Sequence, residues 1–255
     1  MRLSSFLAAI TLVLAACAGT PTYNPTVYPF NINEEVLAES TVKTVVIAHV
    51  NLGLRSRSYL EKESKRIDGY VERYLRDNGY KVLPQREFKA HWSTAERAFG
   101  NPVDPTTGKI NMKTFAQIMT SVRDQMKKSD LDAFIFTDLV ELQESFNNGL
   151  KHLARWDGVS RKPSLQGPGN SVAGDFDWYK TASMASMQIS IYDMELRHLF
   201  TSRGGLDATD AIDTRSSSGR YIRRRNVLEN EDHIREGIEL AFHPFIEMED
   251  WPGNP

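Results

Sequence analysis

From Thr41 to Val50 the chain sets Val42, Val45, Val46, Ile47 and Val50 close together, a β-branched density that predicts a strand. Apolar positions then return at spacings of three, four and seven. Leu60, Ile67, Tyr70, Val71, Tyr74 and Leu75 share one face while Lys, Arg and Glu fill the other, which predicts an amphipathic helix from about Ser58 to Asn78. Asn78-Gly79 ends it, because glycine accepts the left-handed backbone of a helix cap. Tyr80 to Leu83 reads as a second strand, halted by Pro84.

Glu87 to Lys128 reads as two helical pieces, broken by Asn101-Pro102, Pro105 and Gly108. The second piece, about Asn111 to Lys128, carries Phe115, Ile118, Met119, Val122 and Met126 on one stripe. Met112, Met119 and Met126 on that helix read as part of a core face rather than a cofactor box. Ala133 to Phe136 is apolar at consecutive positions, the pattern of an interior strand covered on both faces, and it continues through Leu142. Asn147-Asn148-Gly149 predicts a turn into a partner strand, Leu150 to Val159. Ser164 to Asp177 is loop-like. Ala185, Met187, Ile189 and Ile191 alternate with Ser186, Gln188, Ser190 and Tyr192, which predicts a strand with one buried and one wet face. Asp193-Met194-Glu195 turns it into Arg197 to Arg203, and a last helix over about Glu231 to Phe245 places Ile234, Ile238, Ala241, Phe242 and Phe245 on one side. The order predicts an α/β (α+β) fold: a mixed, largely antiparallel sheet with helices packed on it, one domain over residues 41–250 with a 251–255 tail.

The first sixteen residues form a different pattern. Arg2 gives a positive start, Phe6 to Leu14 an apolar run too short to span a bilayer, and Ala15-Ala16 the small residues of a cleavage site. Leu14-Ala15-Ala16-Cys17, ending on the only cysteine of the chain, resembles the lipobox of bacterial lipoproteins. The resemblance implies that residues 1–16 are a lipoprotein signal peptide and that Cys17 carries a diacylglycerol thioether and an acylated amine. Ala18 stands where an aspartate would, by resemblance to enteric lipoproteins, retain the protein in the inner membrane, so outer-membrane anchoring facing the periplasm is expected. Pro21, Pro25 and Pro29 recur in residues 17–40, which read as a tether, while Tyr23, Val27, Tyr28, Phe30 and Ile32 leave open a segment that packs back along the domain. About twenty extended residues would hold the domain on the order of 60 Å from the lipid.

Within residues 41 to 203, the run Val45-Val46-Ile47, the helix closing at Gly79, Tyr80 to Arg86, Asp132 to Phe136, and Met187 to Asp193 followed by Leu199 to Ser202 resemble the successive core segments of the TolB amino-terminal-like fold. That fold is shared by the curli secretion lipoprotein and by lipoprotein activators of penicillin-binding proteins. The long insert Phe88 to Gly108, the Trp156-Asp157-Gly158 hairpin and the tail after Gly204 depart from it.

Charge and chemistry narrow the picture further. With 31 basic and 33 acidic side chains the net charge is −2, and loss of Arg2 with the signal peptide makes it −3, which excludes a general nucleic-acid binder. An acylated Cys17 leaves no cysteine for a disulfide. The six histidines are scattered, and Asp207, Asp210 and Asp213 are spaced by three where calcium loops space by two, so no metal or other cofactor is expected and the acids read as a solvated loop. No Gly-x-Ser-x-Gly elbow is present. Arg220, Arg223, Arg224 and Arg225 form the densest basic cluster, a candidate surface for an anionic partner or a solvated strand edge. Asp175 and Asp177 beside Trp178 form a candidate ligand patch. The leading expectation is a non-enzymatic lipoprotein, moored in outer-membrane lipid, that binds a periplasmic protein or polysaccharide in envelope assembly or transport. A homo-oligomeric secretion component and a hydrolase of envelope polymers, using Asp175 and Asp177, are the alternatives.

Overall fold

The computed structural model describes residues 28–48, 58–104, 107, 109–216 and 219–248; the signal peptide, Cys17 and the 251–255 tail lie outside the described residues. The chain enters through β1 (Phe30–Ile32) and a short helix, α1 (Glu34–Glu39), so residues 28–40 belong to the domain and not to the tether. Their apolar side chains outweigh the proline spacing. Tyr28 is buried, its hydroxyl reaching the backbone carbonyls of Leu240 and His243, while Pro29 keeps out of the ladder and its carbonyl accepts from the Arg203 amide at 3.3 Å.

Every residue of β2 (Thr44–Ile47) is buried. It lies between β3 (Lys81–Leu83) and β4 (Ala133–Ser145), parallel to both. The connection to β3 runs through α2 (Ser58–Asp77), and the return past β2 to β4 runs through α3 (Gln85–Phe99) and α4 (Met112–Met126). Right-handed crossovers in opposite directions put α2 on one face of the sheet and α3 with α4 on the other. Leu60, Ile67, Val71 and Leu75 of α2 accordingly pack on Val45, Ile47 and Ile135, whereas Ile118, Met119, Val122 and Met126 of α4 pack on Val46 and Phe134. The end of α2 is set by Gly79, whose φ of 84° lets its amide reach the Arg76 carbonyl (3.0 Å) and the Tyr80 amide reach that of Leu75 (3.0 Å).

The second half of the sheet is antiparallel. Its order is β1-β9-β8-β4-β2-β3, with β8 (Thr181–Asp193) and β9 (His198–Ala208) completing it. The expected pairing of β4 with Leu150 to Val159 is corrected: β4 pairs along its whole length with β8, Ala133 opposite Asp193 through Ser145 opposite Thr181. The Asn-Asn-Gly turn forms, but Leu150 is fully exposed and the chain instead makes a separate ribbon of β5 (Ala154–Trp156) and β6 (Val159–Arg161). Turn chemistry fixes a reversal, not a partner, and β8 offers the longer apolar surface. The ribbon's turn residues Asp157 and Gly158 both have positive φ, 38° and 84°. Trp156 and Val159 of the ribbon cover Met184 and Ala182, so β8 is buried on both faces from Ala182 to Met187 and has its wet face only from Gln188 onward.

The stretch read as a loop, Ser164 to Asp177, contains β7 (Ser164–Gln166), which joins β10 (Asp210–Asp213) and β11 (Tyr221–Arg223) in a small sheet of order β11-β10-β7. The last helix, α5 (Glu231–Phe242), is capped by Asn230, whose side chain accepts from the amides of Asp232 (3.0 Å) and His233 (3.2 Å). It ends three residues sooner than the periodicity predicts, at the cis bond between His243 and Pro244, with Phe245 still packed on the core. Helix α5 lies backbone to backbone on β9: a Cβ at Gly204 would come within 1.9 Å of the Gly237 carbonyl oxygen. At the edge of this contact Arg161 and Glu236, both nearly buried, pair at 2.7 Å, and Arg161 Nε donates to the Leu206 carbonyl at 3.1 Å. The fold is thus α+β, helices on both faces of a mostly antiparallel sheet.

Candidate functional site

The acids and arginines near the end of the chain meet one another. Arg224 pairs with Asp207 at 2.7 Å, Arg223 with Asp210 at 3.3 Å and Glu141 at 3.1 Å, and Arg220 and Arg215 with Asp213 at 3.3 and 2.8 Å. The Arg223 guanidinium also lies over the Tyr59 ring, 4.1 Å from its centre. The hydrogen bond from Arg215 holds the Asp213 carboxyl at about 2. Burial pushes Asp207 up, but the His233 ring 3.6 Å away and the hydrogen-bonded Arg224 guanidinium outweigh it and leave the carboxyl below its ordinary value. The reading of Asp207, Asp210 and Asp213 as a solvated loop is therefore corrected: they are strand residues whose charges are matched across β9, β10 and β11. Three of the four clustered arginines are spent on this internal ladder. Arg225 makes no ion pair among the described residues, and its backbone amide donates to Gln166 Oε1 at 3.1 Å.

Asp175 and Asp177 are both exposed. Asp177 caps its own turn, accepting from the Tyr179 amide at 3.0 Å. Trp178 stacks on His152, ring centres 3.6 Å apart, and meets Phe176 edge-on at 4.8 Å, so its ring serves packing. A buried carboxylate stands elsewhere, at Asp157, where burial raises its pKa above the usual range. Its Oδ2 accepts from the Ser186 hydroxyl at 2.7 Å, its Oδ1 lies 3.6 Å from Arg203, and its carbonyl accepts from the Gly205 amide at 2.8 Å. These contacts pin the ribbon's turn to β8 and β9. Among the described residues no group of three His, Cys, Asp or Glu could hold a metal ion.

Arg223, Arg224 and Arg225 line a groove of about 640 Å³ with Tyr59, Glu63 and Arg66. A half-open, more apolar cleft of about 400 Å³ lies between α4 and the wet face of β8, within the range of small-ligand and side-chain pockets. One wall is Ile110, Met112, Phe115 and Met119. Ile110 is held by a bridge to Val103, and α4 starts where the Asn111 side chain accepts from the amides of Lys113 (3.1 Å) and Thr114 (3.2 Å). The opposite lip is Leu196, at φ 61° in the β8–β9 turn, whose shape is fixed by the Asp193 carboxylate accepting from the amides of Glu195 (3.0 Å) and Arg197 (2.7 Å). Phe136 and Tyr192 meet edge to face at 5.8 Å along the floor. The polar part of the lining is Asp138 on β4 with Gln188 and Ser190 on β8. Ser190 is held from the next strand by Thr201, which donates to it at 2.9 Å.

Met112 is 67% exposed and Ile110 37% exposed at the mouth, so the cleft opens onto apolar surface. None of the candidate site residues read from the sequence (Asp175, Asp177, Trp178, Arg220, Arg223, Arg224 and Arg225) lines it. Two signals pointed toward it separately: the stripe on α4 continues toward Met112 beyond what the sheet covers, and Gln188, Ser190 and Tyr192 form the wet side of an alternating strand. Met119 and Met126 are core as expected; Met112 is not. A scan against family models matches none, and neither the curated proteins nor the solved structures contain a match to this chain.

Proposed function

We propose that this protein is a lipid-anchored binding module of the bacterial outer membrane that holds a periplasmic protein partner through the cleft between α4 and β8. The carrying observation is the cleft itself, apolar on its walls and continuous with the exposed side chains of Ile110 and Met112. Such a surface buries an apolar anchor residue of another protein, whereas a polysaccharide needs a denser array of hydrogen-bonding groups than Asp138, Gln188 and Ser190 supply. The location rests on the lipobox ending at Cys17, and the role in envelope assembly or transport on the likeness of residues 41 to 203 to TolB amino-terminal-like domains. Mooring the module at a membrane raises its effective concentration toward a partner there.

A photo-crosslinking residue in place of Met112, compared with one in place of Lys65 on the opposite side of the sheet, tests the proposal in intact cells. The expected result is a discrete adduct from position 112 alone, lost when Cys17→Ser releases the protein from the membrane fraction. Identical adducts from both positions, or membrane retention unchanged by Cys17→Ser, would contradict it.

A further inference from the structure

Where β4 stops at Ser145 and β8 starts at Thr181, two turns present apolar side chains to solvent. Leu150, in the turn after β4, is fully exposed, and Tyr179, in the turn before β8, is 79% exposed. Both turns are built rather than loose. Asn148 and Leu153 close the first by exchanging amide-to-carbonyl hydrogen bonds at 3.1 and 3.2 Å, and the Asp177 carboxylate shapes the second by accepting from the Tyr179 amide at 3.0 Å. The stack of His152 on Trp178 joins one turn to the other. Beneath it, Phe176, Tyr221 and Phe146 continue as a file of ring contacts into the core. The flanking charges balance, Lys151 and Lys180 against Asp175 and Asp177, all four exposed. A polyanion finds no net attraction there. The interface of a bilayer, by contrast, accepts leucine and aromatic side chains at headgroup depth and lets lysines extend their ammonium groups back to water.

The direction of chain entry selects the same end of the domain. β1 is antiparallel to β9, with Phe30 opposite Ser202 and Ile32 opposite Phe200, so the chain reaches Phe30 from the Ala208 end of β9. Ala208 lies opposite Met184, and Met184 opposite Leu142, which makes this the end that carries the two turns. From Thr137, level with Phe30 across β8 and β9, β4 runs eight residues to Ser145, about 27 Å. Thirteen peptide steps from Cys17 to Phe30 span at most about 45 Å. An acylated Cys17 is therefore within reach of the plane of the turns. We infer that Leu150 and Tyr179, carried on the His152–Trp178 stack, form a membrane-contacting tip that seats the domain on the lipid in which Cys17 is anchored. A weak contact suffices, because the anchor keeps the tip at high effective concentration near the surface. The seat turns the Leu196 lip of the cleft, at the opposite end of β8, away from the lipid. This rests on the anchoring of Cys17 and is independent of what the cleft binds.

An acylated Cys17 leaves no other thiol, so a single nitroxide can be attached to the full-length lipoprotein through Lys151→Cys at the tip or Glu195→Cys at the opposite end, both exposed positions. In vesicles of zwitterionic phosphatidylcholine, collisions of the label with oxygen, which concentrates in lipid, are compared with collisions with a water-soluble nickel chelate. The oxygen-to-nickel ratio is expected to rise at position 151 alone and to persist in about 1 M salt, which screens headgroup electrostatics. Leu150→Ser with Tyr179→Ser removes two apolar side chains worth about tenfold each in the ratio of docked to undocked domain. That double variant should return position 151 to the ratio of position 195, while an unchanged circular-dichroism unfolding curve certifies the fold. A water-like ratio at position 151 in acylated, vesicle-bound protein overturns the membrane tip and leaves the anchor standing. So does a raised ratio that disappears in salt or survives the double substitution. An intact mass showing a free thiol on Cys17 brings down the anchoring reading as well.

Discussion

Replacing Gly204 by alanine adds one methyl group at the tightest contact between α5 and β9. That Cβ would lie 1.9 Å from the Gly237 carbonyl oxygen and 2.7 Å from the Ala241 amide nitrogen. Both obstacles are backbone, so no rotamer change relieves them. Restoring an ordinary contact requires α5 to move off the sheet by on the order of 1.5 Å, and a gap of that size forfeits much of the dispersion across the interface. The side chains that lose it are Ile234, Ile238, Ala241 and Phe242, all essentially buried. Overpacking that cannot relax, added to this loosening, costs about 4 kcal/mol. With a denaturation slope of about 2–3 kcal/mol per M, the urea midpoint falls by about 1.3–2 M. Gly69→Ala is the matched control, because Gly69 is exposed inside α2 with nothing within 4 Å of its Cβ. There the same chemical change gains about 0.5–1 kcal/mol of helix stability and raises the midpoint. Equilibrium unfolding followed by far-ultraviolet circular dichroism reads both. Equal, small effects of the two substitutions would refute the claim that α5 rests on β9 backbone to backbone.

Other consequences are open to similar tests. Arg215 holds Asp213 at about 2, so its charge stabilises the folded state fully above the ordinary carboxylate range near 4 and ceases to do so as pH falls toward 2. Asp213→Asn is therefore less stable than the parent at pH 7, and acid unfolding curves of the two converge between about pH 4 and 2; a constant difference across that window contradicts the ladder's energetics. Glu236→Ala leaves the Arg161 guanidinium buried without its partner and costs about 3–5 kcal/mol, whereas the double change Arg161→Met with Glu236→Leu recovers most of the loss in chemical denaturation. A double variant as unstable as Glu236→Ala alone would show that the ion pair is not the source of the cost.

Periodicity made the layers legible. The three-four-seven spacing along α2, the unbroken apolar run at the start of β4 and the Asn-capped stripe of α4 each name both an element and the face it buries. Pairing was harder to read, because Asn147 to Gly149 specify a reversal without specifying which later segment returns, and β8 begins 32 residues beyond Gly149. The Asp207–Arg224 ladder escaped for a related reason: a three-residue interval does not match the two-residue repeat of a strand, and the acids straddle the end of β9 and the whole of β10. The cleft was least visible. Its walls come from α4 and the turn after β8, its floor from β4 and β8, and each contributing residue has an ordinary role in its own segment.

Tyr28 is buried against α5, and that fixes how far the anchored domain can travel. If Cys17 carries the acyl chains, only eleven peptide steps separate the lipid from this docked side chain, a leash of at most about 40 Å. A companion rooted elsewhere in the envelope must come within that radius, so the geometry of chain entry doubles as a ruler for who can be met.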